Sequence, residues 1–137
     1  MATNDVWSLD AYPPAEFSTW NGDPFSAFVS VAANVDPAHA AVISGASGAE
    51  PATSAERTVL KEIGLPVRNT GTYIGHGVEA QFLANLGIAC AAIEHDKLFA
   101  PAGSGDFGAS PSGLSQVVVT GVGNWRGEGL ALIERVD

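Results

Sequence analysis

Residues 71–94 constrain this chain more than any other stretch. They open on a glycine-bracketed turn, Gly75-His76-Gly77, and continue through small and apolar residues to Glu94. The spacing predicts a helix, because Val78, Phe82, Leu86, Ala89, Cys90 and Ile93 fall on one stripe. A second set, Leu83, Gly87, Ile88 and Ala91, is also apolar or small, so the helix is greasy nearly all round. Such a helix is expected to be buried on more than one side. It is too short for a membrane span and is interrupted by Glu79, Gln81 and Asn85. His76 falls where the first turn presents unsatisfied backbone N–H groups and the positive end of the helix dipole. That setting favours a neutral imidazole able to donate a hydrogen bond to a developing oxyanion.

The flanking sequence places this helix in an α/β layer. Residues 38–44 form an apolar, β-branched run that ends in Gly45-Ala46-Ser47-Gly48, as a buried strand feeding a loop does. Thr53 with Glu56 three residues on reads as a capping box, and Val59, Leu60 and Ile63 supply an amphipathic face. Gly64 and Pro66 should stop that helix. Residues 66–70 read as a second short strand before the long helix, giving a β–α–β–α unit. Residues 100–114, rich in Gly, Ser and Pro, are expected to be irregular and to lie on the surface. Residues 116–122 and 129–136 then read as two strands of an antiparallel hairpin joined by a Gly-rich bend. Residues 1–37 carry aromatic residues among turn formers. Pro13, Pro14 and the Asn21-Gly22-Asp23-Pro24 cluster break long elements there. The segment reads as a loop that plugs an apolar surface, so 1–37 is a covering segment on a single domain spanning 1–137.

Charge and cysteine content narrow the classes of function. With 6 Lys and Arg against 15 Asp and Glu, the formal net charge of −9 leaves no basic patch for nucleic acid or an anionic membrane. The single cysteine excludes an internal disulfide and fits a reducing compartment. No basic-then-apolar leader opens the chain, so a cytoplasmic protein is expected. No Cys/His cluster has metal-ligand spacing, so no metal is expected. Cys90 lies deep in the apolar helix and reads as a packing residue. His39 and His95 read as structural or solvent-exposed, while Glu79 is placed to pair with Arg68 or to bond within a pocket.

The segment opened by Gly75-His76 resembles the second active-site histidine segment of the β-ketoacyl-acyl-carrier-protein synthases, condensing enzymes of the thiolase-like superfamily. The remaining segments follow that family's order. Asp10-Ala11-Tyr12 resembles the opening of a ketosynthase second half, and residues 42–56 lie where the family carries its first histidine in a His-Gly-Thr motif. Residues 121–135 resemble its closing Gly-Phe-Gly-Gly loop and final strand. In place of His-Gly-Thr the chain reads Ser44-Gly45-Ala46-Ser47, and no lysine precedes Gly75-His76 within residues 69–73. The resemblance covers most of the chain but only the second half of a complete ketosynthase, without the nucleophilic cysteine.

The resemblance implies a thiolase-like half-domain in which the long helix is sandwiched between two sheets. It implies acyl transfer with C–C bond formation in fatty-acid or polyketide elongation, on a phosphopantetheine-linked acyl substrate carried by acyl carrier protein. No covalently bound cofactor is implied. His76 takes the catalytic position, Ser44 stands where the first histidine is lost, and Tyr73, Glu79, Asn124 and Trp125 fall near bound substrate. The chain is then expected to pair, with a ketosynthase first-half chain, a complete ketosynthase or itself. It either completes a site or, as a non-catalytic partner of the chain-length-factor kind or a truncated remnant, shapes an acyl tunnel.

Overall fold

The computed structural model describes residues 6–11, 31, 34–122 and 128–136. They form a five-stranded mixed sheet with a helix on each face. The strands are β1 (Val6–Ala11), β2 (Ala40–Ser44), β3 (Val67–Asn69), β4 (Gln116–Val122) and β5 (Glu128–Val136). The helices are α1 (Ala52–Ile63), the single turn α2 (Gly71–Ile74) and α3 (Gln81–Glu94), with a 3-10 turn at Val78–Ala80 leading into α3. The order across the sheet is β1-β5-β4-β2-β3. β2 runs parallel to both β3 and β4, whereas β5 is antiparallel to β4 and to β1.

The β–α–β–α unit and the C-terminal antiparallel pair are therefore present. The covering-segment reading of 1–37 needs correction at its start, because Val6–Ala11 is an edge strand in register with β5 from Val6 opposite Val136 to Ala11 opposite Ala131. Residues 12–30, which hold the predicted aromatic plug, lie outside the described residues. Val31 and Val35 from the same segment do bury themselves in the core.

β2 is buried along its whole length because it lies between two parallel neighbours and under helices on both faces. Its alternation sorts the core into two clusters. Ala40 and Val42 join Val67, Val118 and Leu60 of α1 on one face. Ala41 and Ile43 join Val117, Val119, Ile133 and α3 residues Ala89, Ala92 and Ile93 on the other. α1 ends as its sequence dictates: Gly64 adopts φ 75° and donates its N–H to the Leu60 carbonyl at 3.2 Å.

The irregular segment after α3 is tied down by one cation. Arg68 is buried, and its guanidinium donates to the carbonyls of Phe99 (2.7 Å), Val67 (2.8 Å), Phe107 (3.1 Å) and Gly108 (3.1 Å). Asp106 adds a second clasp, accepting from the N–H of Asn69 at 2.7 Å and of Ala102 at 2.7 Å. Leu98 and Leu114 are fully buried. The connection over 100–114 is irregular and lies largely at the surface, as expected, but it is anchored by Leu114, which is buried, and by the Phe107 and Gly108 carbonyls that meet Arg68.

Where β2 ends, backbone packs directly on backbone. A Cβ at Gly45 would lie 2.3 Å from the Thr120 carbonyl oxygen, which no rotamer change relieves. Gly45→Ala should cost about 1–3 kcal/mol, the usual penalty of overpacking, and lower the melting temperature by several degrees in a thermal scan.

Candidate functional site

The carboxyl ends of the parallel strands are where open α/β sheets place their ligands, and the polar interior of this protein gathers there. Ser44 closes β2 and Thr120 lies in β4, and both face α1. Ser44 Oγ donates to Glu56 Oε2 at 3.1 Å, and Thr120 Oγ1 donates to Glu56 Oε1. The same hydroxyls accept backbone N–H groups of the loop beyond β2, Thr120 from Gly45 at 3.0 Å and Ser44 from Ala46 at 3.1 Å. Glu56 is only 2% exposed and has no cationic partner among the described residues. Burial pushes its carboxyl above the ordinary glutamate range, and the Thr120 and Ser44 hydroxyls pull it part of the way back.

Glu56 and Thr53 therefore do not act as the predicted capping box. Pro51 occupies the N-cap position with no side-chain bond, and the Ser54 N–H is met by Glu50 Oε2 at 3.2 Å instead. Because the helix begins at Pro51, Thr53 and Glu56 both lie inside it and share its buried stripe with Leu60. Thr53 Oγ1 is buried with no hydrogen-bond partner among the described residues. It lines a cavity of about 10 Å³, with Ser44, Glu56, Arg57, Asn69 and Phe107 also in the wall. That volume holds about one water molecule.

A second network lies on the α3 face. Thr70 Oγ1 donates to Asn85 Oδ1 at 2.6 Å, and Gln81 Nε2 donates to Thr70 Oγ1 at 2.7 Å and to Asn85 Oδ1 at 3.0 Å. Gln81 Oε1 accepts the Gly77 N–H at 2.7 Å, and Asn85 Nδ2 reaches the Ser44 carbonyl at 3.4 Å. Two of the three residues read as interruptions of an apolar helix, Gln81 and Asn85, are thus its most deeply buried polar groups.

This inverts part of the helical expectation. Gln81, Asn85, Ala89, Ala92 and Ile93 form the buried stripe, while Phe82, Leu86, Ile88 and Cys90 flank it half-buried. Val78 precedes the helix and is 65% exposed, and Leu83, Ala84, Gly87 and Ala91 face solvent. In this chain α3 is buried on one side only.

Among the described residues, Ser44 and His76 of the predicted site are not brought together. His76 is exposed in the link between α2 and the 3-10 turn, five residues before α3, so it does not cap that helix. Ser44 is buried and committed to Glu56 on the opposite face of the sheet from α3. Tyr73 is half-exposed; its hydroxyl donates to the Ala100 carbonyl, and its ring meets Phe99 edge-on with centroids 5.3 Å apart. Glu79 is exposed in the 3-10 turn and cannot pair with Arg68, whose donors are taken by carbonyls. Asn124 and Trp125 lie outside the described residues. His39 is exposed and bonds Asp36 at 2.7 Å, a contact that holds the Asp36 carboxyl below its ordinary range. His95 is exposed at the end of α3.

What the 73–83 segment offers is surface. Tyr73, Ile74, Val78 and Leu83 are all more than half exposed. Val78 also holds φ 50°, a left-handed conformation that a β-branched residue rarely takes. Among the described residues no group of three His, Cys, Asp or Glu side chains is arranged to hold a metal, and no helix is long and apolar enough to cross a membrane. No family model, no curated protein and no solved structure matches this chain.

Two measurements test this account. The raised Glu56 carboxyl contributes stability that is full below the ordinary glutamate value of about 4.3 and is lost as pH rises through its higher folded value. The urea midpoint of the native chain should therefore fall over that window, and that of Glu56→Gln should fall less. Val78→Gly should raise stability by about 1 kcal/mol by relieving the left-handed strain, read as a higher denaturation midpoint.

Proposed function

We propose that this chain is a ketosynthase-like subunit of fatty-acid or polyketide chain elongation, working on carrier-protein-linked acyl groups as one layer of a larger assembly and doing no condensation alone. The observation that carries this reading is the exposure of the large apolar residues Tyr73, Ile74, Val78 and Leu83, on the segment that leads into α3 and on its first turn, the helix that the ketosynthase resemblance places between two sheets. Soluble proteins keep such patches small unless something binds them.

The interior chemistry supports a role without catalysis. A condensing enzyme needs an acylated thiolate and charge-stabilising donors in one pocket. Cys90 is half-buried, and burial pushes its thiol up, away from thiolate. The Ser44 hydroxyl is spent on Glu56. In this reading the subunit acts as a non-catalytic partner that shapes an acyl tunnel.

The exposure of His76 favours one further reading, a split enzyme. A second chain that laid its nucleophile against this surface would find His76 exposed and able to serve as one donor. Decarboxylation of malonyl-acyl-carrier protein separates the two. The chain alone should release no carbon dioxide above background. Mixed with a ketosynthase first-half chain, activity that His76→Ala abolishes marks the split enzyme, and activity indifferent to His76→Ala marks the partner. Absence of any effect on elongation, with either a first half or a complete ketosynthase, would sink the proposal.

A further inference from the structure

We infer that the crevice beyond the carboxyl ends of β2 and β3 binds the carboxylate of a small organic acid, one oxygen seated against Thr53 Oγ1 and the other held by Arg57. This is independent of the elongation reading, whose case rests on the segment leading into α3.

Topology selects the place. β2 and β3 are adjacent and parallel, and the chain leaves β2 for α1 on one face of the sheet and β3 for α3 on the other. Where the connections of neighbouring parallel strands part in this way, a crevice opens beyond their carboxyl ends, and open α/β sheets bind ligands there. Its wall grades from the buried Ser44, Thr53 and Glu56 to the part-exposed Arg57, Asn69 and Gly105. Two groups in that wall are unanswered. Thr53 is 6% exposed, and its hydroxyl has no hydrogen-bond partner among the described residues. Arg57 makes no hydrogen bond or ion pair among them either. The two residues are four apart on α1 and so are neighbours on one face of the helix.

These two groups decide the chemistry of the ligand. A buried hydroxyl without a partner carries a desolvation cost, and so does a half-buried guanidinium. A water satisfies the hydroxyl but leaves the cation uncompensated. A carboxylate answers both, accepting from each through a different oxygen, and its bonds to arginine are of the stronger, charge-assisted kind. Size agrees. The cavity of about 10 Å³ has room for a single oxygen. The remainder of the acid then lies at the rim, where Gly105 presents no side chain and a Cβ would come 3.9 Å from Arg57 Nη2. A phosphate would have to bring further oxygens and more charge into the same space. Burial favours the uncharged form of Glu56, so the acid in the wall repels an anion less than an exposed carboxylate does.

The test is a nuclear magnetic resonance titration of the full, isotope-labelled chain with sodium acetate and, separately, with inorganic phosphate, at constant pH and ionic strength. Acetate should shift the Thr53 methyl and Arg57 Nε–H resonances along a saturable curve, and phosphate should not. Thr53→Val keeps the side chain's shape and removes a buried hydroxyl that has no partner, so the variant should fold at least as well as the native chain. Its acetate affinity should fall about tenfold, the loss of one hydrogen bond to a charged group. Arg57→Gln, at the rim, should lose at least as much while its amide spectrum stays native. An acetate titration with no saturable shift overturns the inference. So does phosphate binding as tightly as acetate, which marks an adventitious ion only, and so does a folded Thr53→Val chain that binds acetate like the native one. None of these results touches the elongation reading, which stands or falls on the decarboxylation assay.

Discussion

The fold turns on the residue at which β2 stops. Through its hydroxyl Ser44 holds Glu56 of α1, and through its carbonyl it receives Asn85 of α3, so one short polar residue connects the helices on the two faces of the sheet. Thr120 doubles the connection on the α1 face and fixes the backbone of Gly45. Buried polar groups of this kind are costly when unpaired, so the network makes the packing of one helix conditional on that of the other. The apolar clusters above and below the sheet supply the bulk of the driving force, while the polar seam specifies how α1 and α3 register on the strand ends.

The parts of this fold that were legible in the sequence are those where burial and periodicity agree. The all-apolar β2, the hairpin partners β4 and β5, and the stop of α1 at Gly64 all follow from local pattern. β1 was not read because Val6-Trp7-Ser8-Leu9-Asp10-Ala11 mixes polar and apolar residues on an edge, where only pairing to β5 decides the matter. α3 was read correctly as a helix but rotated in its assignment of faces. Hydropathy places Gln81 and Asn85 outward, and only the position of Thr70 and the Gly77 N–H explains why they turn inward. Thr53 and Glu56 fit a capping box by spacing, yet the helix begins earlier, with Pro51 at the N-cap, so both fall inside it on the buried stripe that continues to Leu60. The candidate site suffered from the same non-local dependence. By position in the sequence Ser44 stands in for a lost histidine, but the Glu56 carboxyl 12 residues on determines what its hydroxyl does.

The two faces of α3 differ in kind. The inward face is specified by hydrogen bonds and close packing, and it tolerates little change. The outward face is specified by what it lacks, since Leu83, Ala84, Gly87 and Ala91 carry neither charge nor a polar side chain. A helix that serves only as a cover for its sheet has reason to be polar outside, since a polar face keeps a chain soluble. Its outward residues are the part of this chain whose composition the described fold does not by itself account for.

The clasp around Arg68 has a consequence for motion. One guanidinium answers carbonyls contributed both by β3 and by the irregular residues 99–108. To lift that segment away, the protein would have to strand a buried cation in an apolar setting, a state far more expensive than the loss of an ordinary loop contact. The segment therefore shares the opening free energy of the strand beside it, and its amide hydrogens exchange on the timescale of the sheet despite a backbone with no regular structure.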